Sequence, residues 1–302
     1  MSGATEAEKL YAAIEESARS VGADCSRDDV LPTLTAFADG ITAQSGVVFS
    51  AQTGEGPAEL EYTVQVTGID DPYARARAAG FVPTVDHPVN NLLADLRRQV
   101  RIGFHAIDCG VTGGFKKIYA LLTDAQSVPQ LAAIPSMPAA LTENASFFDG
   151  HGLERTPVLG IDYQNRTMNV YFQLPTATGL EPEGVLAMLR EIGLPDPDEE
   201  MLAFACTAYR VYTTLSWDSP RIQRISFAPK PRRGIDFSAL PAPIEPGIEK
   251  FMRSAPHTYS GERICASVVK WSPDRECLDL GSYYQISDEQ LRALTAARTE
   301  QV

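Results

Sequence analysis

The chain has 302 residues, 44% of them apolar, with a formal net charge of −13 and a pI near 4.8. That acidity argues against a nucleic-acid backbone or an anionic membrane as partner, so any anionic ligand needs a local basic cluster. Five scattered cysteines without a C-x-x-C argue against a disulfide framework or zinc site, and no run approaches the length of a membrane span.

The acidic N-terminal stretch MSGATEAEKLYAAIEE is unlike a secretory signal, so a cytoplasmic chain is expected. Periodicity predicts helices over 5–20 and 27–43, then strands over 45–51 and 58–67. Helices over 72–80 and 87–99 lead to strands over 102–108 and 114–122. Helices over 128–133 and 137–149 lead to strands over 156–162 and 166–173. Helices over 182–192 and 197–207 lead to strands over 209–217 and 221–228. The proline-rich stretch 229–246 reads as a loop, followed by a helix over 244–254, strands over 262–271 and 276–285, and a closing helix over 287–297. Asp196-Pro197 and Ser287-Asp288 are the expected caps of the helices that follow them.

First strands of successive pairs recur about every 55 residues, giving about five helix–helix–strand–strand units. Short turns make each pair antiparallel. Ten such strands can close on themselves and so remove both sheet edges. The fold class expected is therefore α+β: a ten-stranded antiparallel β-barrel with a central lumen, ringed by helices, in one domain over 1–302.

Strand alternation separates two rows. Over 59–66, Glu59, Glu61, Thr63 and Gln65 oppose Leu60, Tyr62, Val64 and Val66; over 165–172, Asn165, Thr167, Asn169 and Tyr171 oppose Arg166, Met168, Val170 and Phe172. Helices need the apolar row, which leaves the polar row for the lumen. An interior of that kind is wet and suited to a ligand. A half-exposed sheet with its polar face in solvent would show the same alternation.

The inward phase collects Lys117, Arg210, Arg224 and Lys270, which would repel one another in an empty cavity and share an anion such as a diphosphate. The same rows carry Tyr119, Tyr171, Tyr212 and Tyr283, whose faces suit a carbocation. Together they point to ionisation of an allylic diphosphate beside an electron-rich ring. DDPYA at 70–74 reads as a turn entering a helix, not a metal-binding acid pair, and the four histidines are isolated.

The segments LYAAIEE, DHPVNNLLAD, AIDCGVTGGFKKIYA, AAIPSMP, DYQNRTMNVYF and LGSYYQISD resemble the ABBA-type aromatic prenyltransferases, the NphB/CloQ group, nearly end to end. The resemblance implies the same ten-stranded barrel, known as the PT barrel. It implies diphosphate contacts from Lys117, Arg224 and Tyr212, with Ser50, Thr167 and Asn169 around the same group. Tyr119 and Tyr283 fall beside the prenyl chain and acceptor, and Gln290 near the acceptor. Val48, Thr63, Leu121, Val158, Tyr171 and Ala228 complete the expected pocket.

Four positions depart from the family. Glu61 replaces an aspartate that orients magnesium in metal-dependent members; several relatives work without metal, so the cofactor expectation is none or Mg2+. Asn165 replaces a lysine. Asp279 replaces another lysine that contacts diphosphate, and Lys270 on the adjacent strand is expected to supply that charge. Arg210 replaces a serine facing the acceptor and favours an anionic aromatic acceptor; the alternative is that it pairs with Glu61 or Asp279.

The resulting expectation is a monomeric aromatic prenyltransferase. It moves a dimethylallyl or geranyl group from its diphosphate to a hydroxynaphthalene, naphthoquinone or phenazine carboxylate acceptor, by electrophilic aromatic substitution in secondary metabolism. Neither nucleic acid nor membrane is an expected partner. A non-catalytic carrier of an aromatic metabolite would share the cavity, and a prenyl diphosphate hydrolase would act without acceptor.

Overall fold

The computed structural model describes residues 3–287 and 290, apart from 55, 84 and 175–178. Helices α1 (Gly3–Val21) and α2 (Arg27–Ala36) precede strands β1 (Val47–Gln52) and β2 (Glu61–Val66). Then α3 (Pro72–Ala78) and α4 (Val89–Gln99) precede β3 (Ile102–Gly110) and β4 (Gly114–Ser127). The third unit holds α5 (Val128–Ala132), α6 (Ala140–Glu143), α7 (Ala145–Gly150), β5 (Arg155–Asp162) and β6 (Thr167–Gln173). The fourth holds α8 (Pro182–Glu191), α9 (Glu199–Cys206), β7 (Ala208–Ser216) and β8 (Arg224–Pro229). After a short β9 (Arg232–Arg233) and a 3-10 turn (Phe237–Ala239) come α10 (Pro246–Ser254), β10 (Ile264–Ser272) and β11 (Arg275–Gln285).

Each of the ten long strands pairs antiparallel with two neighbours, and the β10–β11 and β11–β1 ladders close the ring. β9 pairs only with the start of β10, inside the stretch expected to be loop. The outward rows hold the core: Phe49, Tyr62, Val64, Ile118, Leu159, Phe172, Phe227 and Leu278 are fully buried. Helix α1 packs along α10. Gly247 permits that close approach, because a Cβ there would stand 2.4 Å from the Val21 carbonyl oxygen.

Phe172 and Tyr171 are neighbours on β6 that face opposite ways, which makes the two rows testable. The Phe172 ring lies against Phe148 at 4.9 Å, away from the lumen. Phe172→Ala is expected to cost about 3–5 kcal/mol in denaturant melts, and Tyr171→Phe almost nothing. Equal losses in the two variants would contradict the division into core and lumen rows.

Several expected boundaries shift for local reasons. Helix α2 stops at Ala36, where the Phe37 N–H turns back to the Thr33 and Thr35 carbonyls. The helix expected over 137–149 breaks at Asn144, whose Nδ2 donates to the Ala140 and Pro220 carbonyls. Asp198, not Asp196, caps α9, accepting from Met201 N at 2.7 Å, while Asp196 pairs with Arg190. The closing helix expected over 287–297 lies largely outside the described residues; Ser287 Oγ accepts from Gln290 N at 3.1 Å, consistent with the expected cap.

Candidate active site

A cavity of about 640 Å³ runs within the barrel, and all ten barrel strands contribute to its wall. The volume falls in the range of roughly 300–1,000 Å³ typical of small-molecule sites. Ser50, Glu61, Lys117, Asn169, Tyr212, Arg224, Lys270 and Asp279 line it, together with Val48, Thr63, Tyr119, Leu121, Val158, Tyr171, Arg210, Tyr283 and Gln290. Asn165, Thr167 and Ala228 are not in the lining. Asn165 sits in the β5–β6 turn, donating its N–H and Nδ2 to Asp162. Thr167 pairs with Asp162 at the barrel end, and Ala228 is buried opposite Arg210.

Strand register orders the wall into tiers. Lys117 pairs with Asp108 on one side and with Asp162, the last residue of β5, on the other. The next tier runs Tyr119, Gly160, Asn169, Thr214 and Arg224 across five strands. The one beyond runs Leu121, Val158, Tyr171, Tyr212, Ser226 and Lys270. Arg210 pairs with Gln173, the last residue of β6, and so lies toward the opposite end from Lys117. Lys117 and Arg224 thus share one end of the lumen.

The lumen is not simply cationic. Lys117 Nζ lies 3.0 Å from Asp108 Oδ2, and Lys270 Nζ contacts Asp279. Burial opposes charge on Lys117, but Asp108, Glu61 and Asp162 overcome it and hold its pKa above the ordinary lysine value. Burial would likewise raise the Glu61 carboxyl; Lys117, Lys116 and Lys270 instead bring it down to about 2. The four lining cations therefore face three lining carboxylates, Glu61, Asp108 and Asp279. Among the described residues Arg210 and Arg224 have no ion-pair partner. Arg210 Nε donates to Gln173 Oε1 at 3.0 Å and the guanidinium lies over the Tyr209 ring at 4.9 Å, so the pairing with Glu61 or Asp279 is not what forms. Arg224 Nε is buried without a hydrogen-bond partner.

Between these ends the tyrosines gather. Tyr119 meets Tyr171 edge-on at 5.9 Å, and Tyr171 lies 4.2 Å from Tyr212. Burial pushes the Tyr119, Tyr212 and Tyr283 phenols well up, so they remain protonated donors.

A family model described as Aromatic prenyltransferase Orf2 matches residues 5–291. The chain belongs to that family. It is 39% identical to a 5,10-dihydrophenazine-1-carboxylate 9-dimethylallyltransferase of Streptomyces anulatus, over 98% of this chain and 99% of that one. It is 37% identical to a flaviolin linalyltransferase of Streptomyces virginiae over 94% of each, and 35% identical to a furaquinocin biosynthesis prenyltransferase of Streptomyces sp. (strain KO-3988) over 93% and 91%. The cavity is thus that of an aromatic prenyltransferase, and a carrier has no support from these relatives. Among the described residues, no helix is long and apolar enough to cross a membrane.

Glu61 does not fit a protein-held metal in this prenyltransferase. Its Oε1 accepts from Lys116 Nζ at 2.9 Å, and the Lys117 and Lys270 charges act on the same carboxylate. Among the described residues no three His, Cys, Asp or Glu side chains form a metal-ligand group.

Two features of the cavity and its wall lie outside the residues collected from the sequence. Asp108, 2% exposed, accepts from Thr63 Oγ1 at 2.6 Å and pairs with Lys117. Alternation along Phe104, Ala106 and Asp108 places it in the lumen row opposite Lys117, so the signal was present. The other feature is Lys116. A β-bulge between Asp108 and Cys109 makes it the extra residue of β4. Phe115 and Ile118 both reach the helix-side core, while the two lysines between them both reach lumen carboxylates.

Proposed function

We propose that the enzyme transfers a dimethylallyl or geranyl group from its diphosphate to an anionic, electron-rich aromatic acceptor. Acceptors of the hydroxynaphthalene, naphthoquinone or phenazine carboxylate type fit. The observation that carries this reading is Arg224: a half-buried side chain whose Nε is itself buried and orphaned, one tier from Lys117 and level with Asn169. A buried donor without a partner is costly, and a diphosphate oxygen would satisfy it.

Lys117 and Arg224 hold the diphosphate, with Asn169, Ser50 and Lys270 around it, and Tyr212 donates to the leaving oxygen. The allylic C–O bond breaks heterolytically and the diphosphate takes the electron pair, which its donors stabilise. The Tyr119–Tyr171–Tyr212 faces shield the cation. A ring carbon of the acceptor attacks, and water or a lumen carboxylate removes the proton. Thr214 Oγ1 donates to Asn169 Oδ1 at 2.8 Å, which fixes that amide with its NH2 available as a donor. Alignment of the two substrates in a closed lumen supplies most of the acceleration.

Arg210 takes the acceptor's anionic group at the other end, with Tyr283 beside it and Gln290 toward the same mouth, whereas Thr63 is held by Asp108 at the Lys117 end. Gln290 Nε2 donates to Gln65 Oε1 at 2.5 Å, so both side chains shape that mouth. We further propose that residues 1–302 act as one cytoplasmic, monomeric barrel domain.

The test is pyrophosphate release from C5, C10 and C15 allylic diphosphates, with and without naphthalenediols or phenazine carboxylates, followed by product identification. Acceptor-dependent release with a C-prenylated product is expected. Equal release without acceptor would make the enzyme a hydrolase.

A further inference from the structure

Lys116 is absent from the cavity wall yet is bound to a residue that forms it. Its Nζ donates to Glu59 Oε1 at 3.0 Å and to Glu61 Oε1 at 2.9 Å, and its side chain is 11% exposed. The surrounding chain is shaped for this bridge. Gly110 pairs with Glu61 in register, and a Cβ there would stand 2.3 Å from Glu59 Oε1 and 2.9 Å from Lys116 Cε and Nζ. Gly113 makes similar room, 3.1 Å from Lys116 Cε. Strict alternation would send Lys116 to the helix side opposite Lys117; the bulge sends both lysines to lumen carboxylates.

We propose that Lys116 is a positioning residue, a resident cation of Glu61 that makes donor binding independent of divalent metal. This rests on reading the lumen as an allylic diphosphate site. The Glu61 carboxylate faces the same cavity as the diphosphate-binding groups; Lys117 and Lys270 also act on it, but the donor draws on those charges, so without the hydrogen-bonded Lys116 it would repel the donor or recruit a metal ion. The Lys116 ammonium neutralises it from behind, held in place by Glu59. A fixed intramolecular cation needs no capture from solution. Charge-assisted hydrogen bonds of this kind are worth enough to alter affinity by roughly ten- to a hundredfold.

The experiment is calorimetric binding of dimethylallyl S-thiolodiphosphate, a non-transferable donor, to the full chain in EDTA and in millimolar Mg2+. Wild type is expected to bind equally in both media. Lys116→Met is expected to bind about tenfold more weakly in EDTA and to recover with Mg2+, as the exposed Glu61 recruits the ion. Lys116→Arg should match wild type, and adding Glu61→Gln to Lys116→Met should remove the Mg2+ response. A purely structural lysine would give a loss that Mg2+ does not reverse, which overturns the proposal. So does a wild-type affinity that falls in EDTA, a measurement that needs no variant to fold. Binding that fails in both media would instead defeat the diphosphate reading itself, and this proposal with it.

Discussion

Lys117→Met is expected to lower prenyl transfer by at least about a hundredfold, the scale for removing one preorganised donor from a developing oxyanion. The same variant should also lose stability. Asp108 is 2% exposed and pairs with Lys117, so deleting the ammonium strands a buried carboxylate. Breaking such a pair costs about 3–5 kcal/mol. The two effects are separable by a second change, Asp108→Asn, which removes the stranded charge and retains an acceptor for Thr63 Oγ1. The double variant should recover most of the lost stability in denaturant melts and almost none of the turnover. Restored turnover would mean that Lys117 acts through the wall and never touches the donor.

Arg210→Gln is expected to raise KM for a carboxylate-bearing acceptor by roughly ten- to a hundredfold, the worth of a lost charge-assisted bond. Donor affinity should hold, because Arg210 lies toward the opposite end of the lumen from Lys117. An uncharged phenolic acceptor should notice little. The measurement is steady-state kinetics with paired acceptors that differ only in the carboxylate. An equal penalty for both would assign Arg210 to holding Gln173 and Tyr209, the two side chains it touches.

The barrel was legible because its signal is redundant. The five repeats, the short turns and the alternation on Glu61-Thr63-Gln65 and Asn169-Tyr171 all demand the same closed sheet. The lumen face of the site followed from alternation alone, so Lys117, Arg224 and Tyr212 fell on one cavity. Charge balance was harder to read. Collecting cations by phase says nothing of the carboxylates across the ladder, so it does not single out Asp108, nor the ion pair by which Asp279 holds Lys270, the charge expected in place of the family lysine. Lys116 was illegible for another reason. Alternation is a rule about regular strands, and a one-residue bulge breaks it without a mark in hydrophobicity. Helix ends shifted where particular hydrogen bonds decided them, as at Asn144 and Asp198.

Outside the charged pairs Lys117–Asp108 and Lys270–Asp279, each strand of this barrel divides its residues between two tasks that scarcely interact. Phe49, Leu159 and Phe172 are fully buried in the core, whereas Val48, Val158 and Tyr171, each one position away, face the lumen. Substitutions in the second group redraw the shape offered to an aromatic guest and leave the folding free energy almost unchanged. Taste and durability are therefore inherited separately, and a lineage built on this scaffold can change what it alkylates in single steps without passing through an unstable ancestor.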